Sequence, residues 1–263
     1  MAMADVTGTG PGKDGRAGGA RGQGWSRRIE EALEKDRFVL HAQRIVDVAS
    51  GETTRHELFL RMSNGGLIPA GEFVITAEET GSIREIDRWV LGRAVEIAAS
   101  GHPVDLNLSV RSADAELLER MRGGVRETGA DPEHLVLELS EEQLVKGLAT
   151  GEGFVRGASE LGCRIALDGY IQGGRGSALL KGLPIDFVKL GAPFVKGLAD
   201  DGRRRRKARN AAAKAHESGQ KVIAQGVEDL ITLQLLPELG VDEAQGYALG
   251  RPEPVESVFN RRA

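Results

Sequence analysis

The 263-residue chain contains a single cysteine, Cys163, so neither a disulfide framework nor a thiolate metal cluster can form within it. It also lacks a strong excess of either charge. Its 35 basic residues face 39 acidic ones, a balance that argues against a general nucleic-acid binder. No apolar run approaches the ~18 residues of a membrane span, and the N-terminus has no basic-then-apolar secretory pattern. The expectation is a cytoplasmic protein with no membrane or nucleic-acid partner. Residues 1–24, rich in glycine, contain almost nothing to bury and read as a disordered leader or linker. The folded domain is therefore expected over 25–263, where a chain that is 40% apolar can build a substantial core.

What is present is alternation. FVLHAQRIVDV (38–48) and TTRHELFLRM (53–62) are β-like and joined by a Ser-Gly turn, which predicts an antiparallel hairpin. A short amphipathic helix is expected from near Trp25, and a longer one at 84–100. Further strands are predicted at 104–109, 134–140, 164–169, 186–190, 221–226 and 243–247. Helical stretches near 112–128, 151–161, 174–182, 203–218 and 229–238 separate them. Repeated β-α units with apolar strands imply an α/β fold, with a mostly parallel sheet covered by helices. So many units in one domain favour a closed TIM-like β/α barrel, and no Gly-x-Gly-x-x-Gly follows the first strand to support a dinucleotide-binding sheet.

In such a barrel the active site lies at the C-terminal ends of the strands. Polar residues recur there: Glu57, Asn107, Glu138, Asp168, Lys189, Gln225 and Gln245, with Glu141 just beyond. Each alone is ordinary, since Asp168 could be turn chemistry and Lys189 a snorkelling lysine. Together, carboxylate and amide oxygens converging on one rim suit a hard cation such as magnesium, manganese or calcium.

The same residues resemble the EAL-domain cyclic di-GMP phosphodiesterases. The family's Glu-Ala-Leu signature followed by Leu-Arg is similar to ELFLR (57–61), and its AE-x-x-G segment to AEETG (77–81). NLS (107–109), ELSE (138–141), AQGVE (224–228), QGY (245–247) and GRP (250–252) match further segments in order, over roughly residues 30–256. The resemblance implies an EAL-type barrel with an antiparallel first strand. It assigns Glu57, Asn107, Glu138 and Asp168 to a first metal and Lys189 to the lysine beside the attacking water. It also implies ligand contacts from Gln43, Arg61, Lys189 and Gln245, and gives Glu141 a role in holding the loop after the next strand.

The departures fall on acidic positions. The family's second Asp of an Asp-Asp pair is Gly169 here, within a rewritten loop LDGYIQGGRGSALL, and the Glu of its AEGVE segment is Gln225. Gly191 replaces an acidic residue after the lysine, and Phe59 replaces a leucine, as packing or as a base-stacking platform. Three of five expected metal-facing carboxylates remain. A neutral amide cannot serve as a carboxylate base, and glycine offers no side-chain ligand. Lys189, Gln225 and Gly169 are thus relicts of a catalytic set, compatible with one magnesium or manganese ion but not with a two-metal centre. The expectation is a degenerate, non-hydrolytic EAL domain that binds cyclic di-GMP or a protein partner, with a weakly active phosphodiesterase as the alternative. The helix expected at 203–218, within RRRRKARNAAAKAHESG (203–219), has only alanines for its buried stripe, and its basic run Arg203–Lys207 reads as a solvated face or as a dock for an anionic partner.

Overall fold

The computed structural model describes residues 18–170 and 174–260. Ten strands form one sheet: β1 (Phe38–Asp47), β2 (Thr53–Ser63), β3 (Leu67–Pro69), β4 (Val104–Asn107), β5 (Leu135–Ser140), β6 (Arg164–Asp168), β7 (Phe187–Leu190), β8 (Lys221–Ala224), β9 (Glu243–Ala244) and β10 (Glu253–Pro254). The sheet runs β10-β1-β9-β8-β7-β6-β5-β4-β2-β3, and pairing of β1 with β2 closes eight strands into a barrel. β1 is antiparallel to both of its barrel neighbours, while β2 and β4 to β9 pair in parallel. The hairpin expectation and the barrel expectation both hold. β3 and β10 lie outside the closed ring.

The helices are α1 (Gly18–Glu34), α2 (Val74–Thr80), α3 (Ile83–Ala99), α4 (Ala115–Thr128), α5 (Glu141–Lys146), α6 (Leu148–Leu161), α7 (Gly174–Gly182), α8 (Ala192–Val195), α9 (Gly202–His216), α10 (Leu230–Leu235) and α11 (Val255–Phe259). Three helix starts are set by aspartate N-caps: Asp114, Asp201 and Asp229 each accept from backbone N–H groups of the first turn. Asp114 is why the helix expected from 112 begins at Ala115. The first helix is longer than expected. It starts at Gly18, so residues 18–24, assigned to a disordered leader, belong to it. A glycine-rich stretch has poor helix propensity, but it continues a helix whose Ile29 and Ala32 are buried in the core. The rest of the expected leader, 1–17, and residues 171–173 of the rewritten loop lie outside the described residues.

The main core fills the space between barrel and helices, with Leu106, Leu137, Leu139, Leu167, Val188 and Val222 all buried. α9 is an exception to its apolar packing. Its inner face is Ala208, Ala211, Ala212 and Ala215, all buried, which brings the helix close to the sheet but removes little apolar area from water. Four consecutive arginines at its N-terminal end run against the helix dipole, an unfavourable placement of order 0.3–1 kcal/mol per charge. Close approach also governs the QGY turn, where a Cβ on Gly246 would come within 2.2 Å of the Val227 backbone.

Candidate functional site

Side chains on a strand alternate between faces, so residues two apart along one strand stack as layers inside a barrel. Two such layers fill this one. The lower layer is Ile45, Arg55, Asp105, Val136, Ala166, Phe187, Ile223 and Glu243, one residue from each barrel strand, all buried. Its apolar members form a small core of their own. The upper layer is offset by two residues on each strand: Gln43, Glu57, Asn107, Glu138, Asp168, Lys189, Gln225 and Gln245. The structure therefore places every strand-end residue expected from sequence in one ring at the mouth. The next layer up on β2 holds Phe59, half-buried, and Arg61 at the rim, with the Arg61 guanidinium 5.7 Å from the Phe59 ring centre.

Lys189 is the hub of the ring. Its ammonium donates to Glu57 Oε2 at 2.8 Å and to Glu138 Oε1. With the Gln225 amide oriented to suit both neighbours, its oxygen accepts from Lys189 Nζ at 3.1 Å and its nitrogen donates to Asp168 Oδ1 at 3.0 Å. A lysine has three N–H donors, and here three oxygens take them. Asn107 Nδ2 donates to Glu57 Oε1 at 2.8 Å, completing that carboxylate. On the other side of the ring Gln245 donates to Gln43 Oε1 at 3.2 Å, and Gln43 donates to the Gly250 carbonyl at 2.6 Å. Gln43 and Gln245 thus line the wall, already bonded to one another.

Burial works against the charge of Lys189, but Glu138 and then Glu57 outweigh it and hold the ammonium above the usual lysine range. Burial is also the largest influence on Glu138. Together with repulsion from Glu57 it pushes this carboxyl well up, against the pull of Lys189. We assign Lys189 as protonated, since Glu57 and Glu138 on either side stabilise the ammonium.

Below the ring, Arg55 donates to Asp105 Oδ1 at 2.7 Å and to Glu243 Oε2 at 2.6 Å, and its guanidinium lies 4.1 Å from the Phe187 ring centre. Sequence reading missed this ion cluster. The signal was present: Arg55, Asp105 and Glu243 each precede an identified site residue by two positions. Counting both layers among the described residues, five carboxylates (Glu57, Asp105, Glu138, Asp168, Glu243) share the barrel interior with two cations, Arg55 and Lys189.

That excess of negative charge, and a buried Glu138 Oε2 with no hydrogen-bond partner, fit one hard cation in the Glu57, Asn107, Glu138 and Asp168 set. They do not form a finished cage: among the described residues no three Asp, Glu, His or Cys side chains converge closely enough to hold an ion, because Lys189 stands between them. For a second cation there is less. Gly169 has no side chain, and the Gln225 oxygen is engaged by Lys189. Gly169 adopts a φ of +69°, with open space where a Cβ would be.

A further buried carboxylate supports the ring from outside. Asp87 on α3 accepts from the Ser109 backbone N–H at 3.1 Å, directly after the Asn107 strand end. Glu78 receives the Ser109 hydroxyl at 3.0 Å and the Gln143 amide at 2.7 Å. Glu141 opens α5, and its carboxylate packs where a Cβ on Gly176 of α7 would stand, consistent with its expected place beside the following loop. Burial raises Asp87 to about 7, with Glu78 adding repulsion against hydrogen bonds that lower it. An acid raised on folding contributes stability at low pH that is lost as pH rises from about 3.8 through about 7. Urea unfolding across that window should therefore show stability falling with pH at this site, and Asp87→Asn should flatten the slope. An unchanged slope in the variant would remove Asp87 as its source.

The fold and site define the class: a β/α barrel with an antiparallel first strand and a polar ring at the carboxyl ends of its strands. A family model described as "EAL domain" matches residues 26–252, and the chain belongs to that family. It is 31% identical over 237 residues to signaling protein YkoW of Bacillus subtilis, covering 87% of this chain and 30% of the relative. Among solved structures, the PaMucR phosphodiesterase in complex with c-di-GMP superposes with a TM-score of 0.83 at 29% identity, covering 89% of this chain and 99% of that one. The Xanthomonas citri FimX EAL domain in complex with c-diGMP gives 0.83 at 26% identity, covering 91% and 97%. The chain spans about a third of the length of the curated relatives it matches. Among the described residues no helix is long and apolar enough to cross a membrane.

Proposed function

We propose that this EAL domain is a catalytically degenerate, non-hydrolytic receptor for cyclic di-GMP, or a protein-interaction module in that signalling system. The reading rests on Gln225 in the ring: with its amide oriented to suit both neighbours, it donates to Asp168 while accepting from Lys189. A carboxylate at this position could accept from the lysine but would repel Asp168, and would need a cation between them. The neutral amide bridges Lys189 and Asp168 with no cation between them. EAL phosphodiesterases are generally metal-dependent. A hard ion bound in the Glu57, Asn107, Glu138 and Asp168 set would supply Lewis-acid polarisation of a phosphate oxygen. The residues themselves would bind and orient. Arg61 at the rim would pair with a phosphate, and Gln43 and Gln245 would contact the ligand from the wall beneath.

Support for the ligand comes from relatives. The PaMucR and FimX structures carry c-di-GMP in barrels that match this one over most of its length. The second reading, a weakly active phosphodiesterase using magnesium or manganese, draws on the retained first-metal set and the unpaired Glu138 Oε2.

Calorimetric titration with cyclic di-GMP, with and without magnesium, separates these readings. Saturable binding without appearance of linear pGpG in magnesium or manganese is the expected result. Turnover that disappears in Glu57→Ala would replace the receptor with the enzyme. Absence of heat at high ligand concentration would leave only the protein-interaction role.

A further inference from the structure

Four of the five exposed cations of α9 make no contact that holds the barrel together. Arg204 donates to the Pro193 and Lys196 carbonyls at 3.0 and 2.9 Å, and Arg205 to Leu198 and Ala199, both at 2.8 Å. Those two arginines fasten the loop after β7 to the helix. Arg203, Arg206, Lys207 and Arg209 are exposed, and their side chains make no ion pair among the described residues. Elsewhere unpaired exposed arginines such as Arg111, Arg120 and Arg126 stand apart along the chain, and others pair, Arg84 with Asp114, Arg122 with Glu119 and Arg164 with Glu133; only on α9 do four unpaired cations fall within seven residues among the described residues. The four recur at spacings of three and four residues, so like charges sit side by side on the outer face and also oppose the helix dipole. An arrangement that disfavours the isolated helix on both counts is relieved by an anion laid along it.

We propose that the outer face of α9 docks an acidic segment of a partner protein. Three features select this occupant. Five of the six bases between positions 203 and 209 are arginine, whose planar fork pairs carboxylates bidentately. The patch is short: with seven of the chain's 35 bases in α9, the other residues hold 28 against 39 acids. The net negative charge of the rest of the chain disfavours a nucleic-acid strand extending beyond the helix. The helix also exposes no large apolar side chain to insert into a lipid surface, its outer positions being Arg, Lys, Asn and Ala. Because the chain reaches α9 from the carboxyl end of β7, the arginines stand at the same end of the barrel as the polar ring. A docked segment would lie beside the mouth.

The face does not depend on the nucleotide reading. The test uses the full chain and a fluorescein-labelled peptide bearing Glu and Asp at three- and four-residue spacings, followed by anisotropy. Saturable binding at low salt is expected, weakening steeply as salt rises and falling by about tenfold or more in Arg203→Glu/Arg206→Glu/Lys207→Glu. The matching triple change to glutamine keeps good helix formers at all three positions. It should lose binding with an unchanged circular dichroism spectrum, so it decides the question if charge reversal disturbs folding. No saturable binding to the parent chain would overturn the proposal, as would binding that survives both triple variants. Tighter binding of an equally charged oligonucleotide or of phosphatidylserine vesicles would also overturn it. Cyclic di-GMP titration of the glutamine variant reports separately on the nucleotide site.

Discussion

Replacing Arg55 with methionine is expected to lower the unfolding free energy by about 3–5 kcal/mol, the usual loss when one partner of a buried ion cluster is removed. Asp105 and Glu243 would remain inside the barrel with no cation between them, both almost wholly out of water. Burial already pushes the Asp105 carboxyl up, and the attraction of Arg55 is the first thing that opposes it. Without that attraction the Asp105 carboxyl would rise further in the folded state and take up a proton. An acid raised on folding is least costly below its unfolded pKa and most costly once it must ionise. The deficit of Arg55→Met should therefore be largest near neutral and alkaline pH and shrink in mild acid. Adding Asp105→Leu and Glu243→Leu should recover much of the loss, because a buried ion cluster can be replaced by apolar groups far more cheaply than it can be broken. Urea unfolding at two pH values measures all of this. A single variant that loses under about 1 kcal/mol at neutral pH would mean the cluster is not a structural element of the barrel floor.

Restoring the two missing carboxylates together, as Gly169→Asp with Gln225→Glu, should produce the largest gain of function available to this site. The expected result is metal-dependent conversion of cyclic di-GMP to linear product, about 10²–10⁴-fold faster than any activity of the parent, the range over which a positioned general base acts. Space exists at position 169, and aspartate tolerates a left-handed backbone better than most residues, at about 1–2 kcal/mol. The same substitutions should make the metal-free protein less stable, because the new carboxylates crowd Asp168 and the amide donor to Asp168 is lost from position 225. Magnesium or manganese should then raise the melting temperature of the double variant more than that of the parent. If the double variant is no more metal-responsive and no faster than the parent, those two positions are not what silences the site.

Much of this was legible in the sequence, for identifiable reasons. Strands such as LVLELS and RIALD are apolar runs ending in polar residues, and parallel order puts those ends on one rim, so Glu138 and Asp168 could be placed without coordinates. Gln225 was legible as a departure because the GVE after it matches the family's segment, and Gly169 because it directly follows the retained Asp168. The ion cluster of Arg55, Asp105 and Glu243 was not read, since charges in mid-strand usually face solvent and only barrel closure turns these inward. The hub role of Lys189 depends on distances between β2, β5 and β7 that spacing along the chain cannot supply. EAQGY was read as a five-residue strand, but pairing is confined to Glu243–Ala244 because Gly246 turns the chain tightly against Val227.

The two-layer barrel interior also bears on what the fold can afford to lose. Slipping any strand by one residue would turn its inward side chains out, so both layers hold the same eight registers. The lower layer does so without taking part in any chemistry at the mouth. Arg55, Asp105 and Glu243 tie β2, β4 and β9 together, and Ile45, Val136, Ala166, Phe187 and Ile223 tie the other five. Alignment of the strands is thus insured twice, once by groups that could be functional and once by groups that are not. A descendant of such a barrel can trade a glutamate for a glutamine at the rim and still thread every strand correctly. The scaffold can outlive its reaction and become available for recognition.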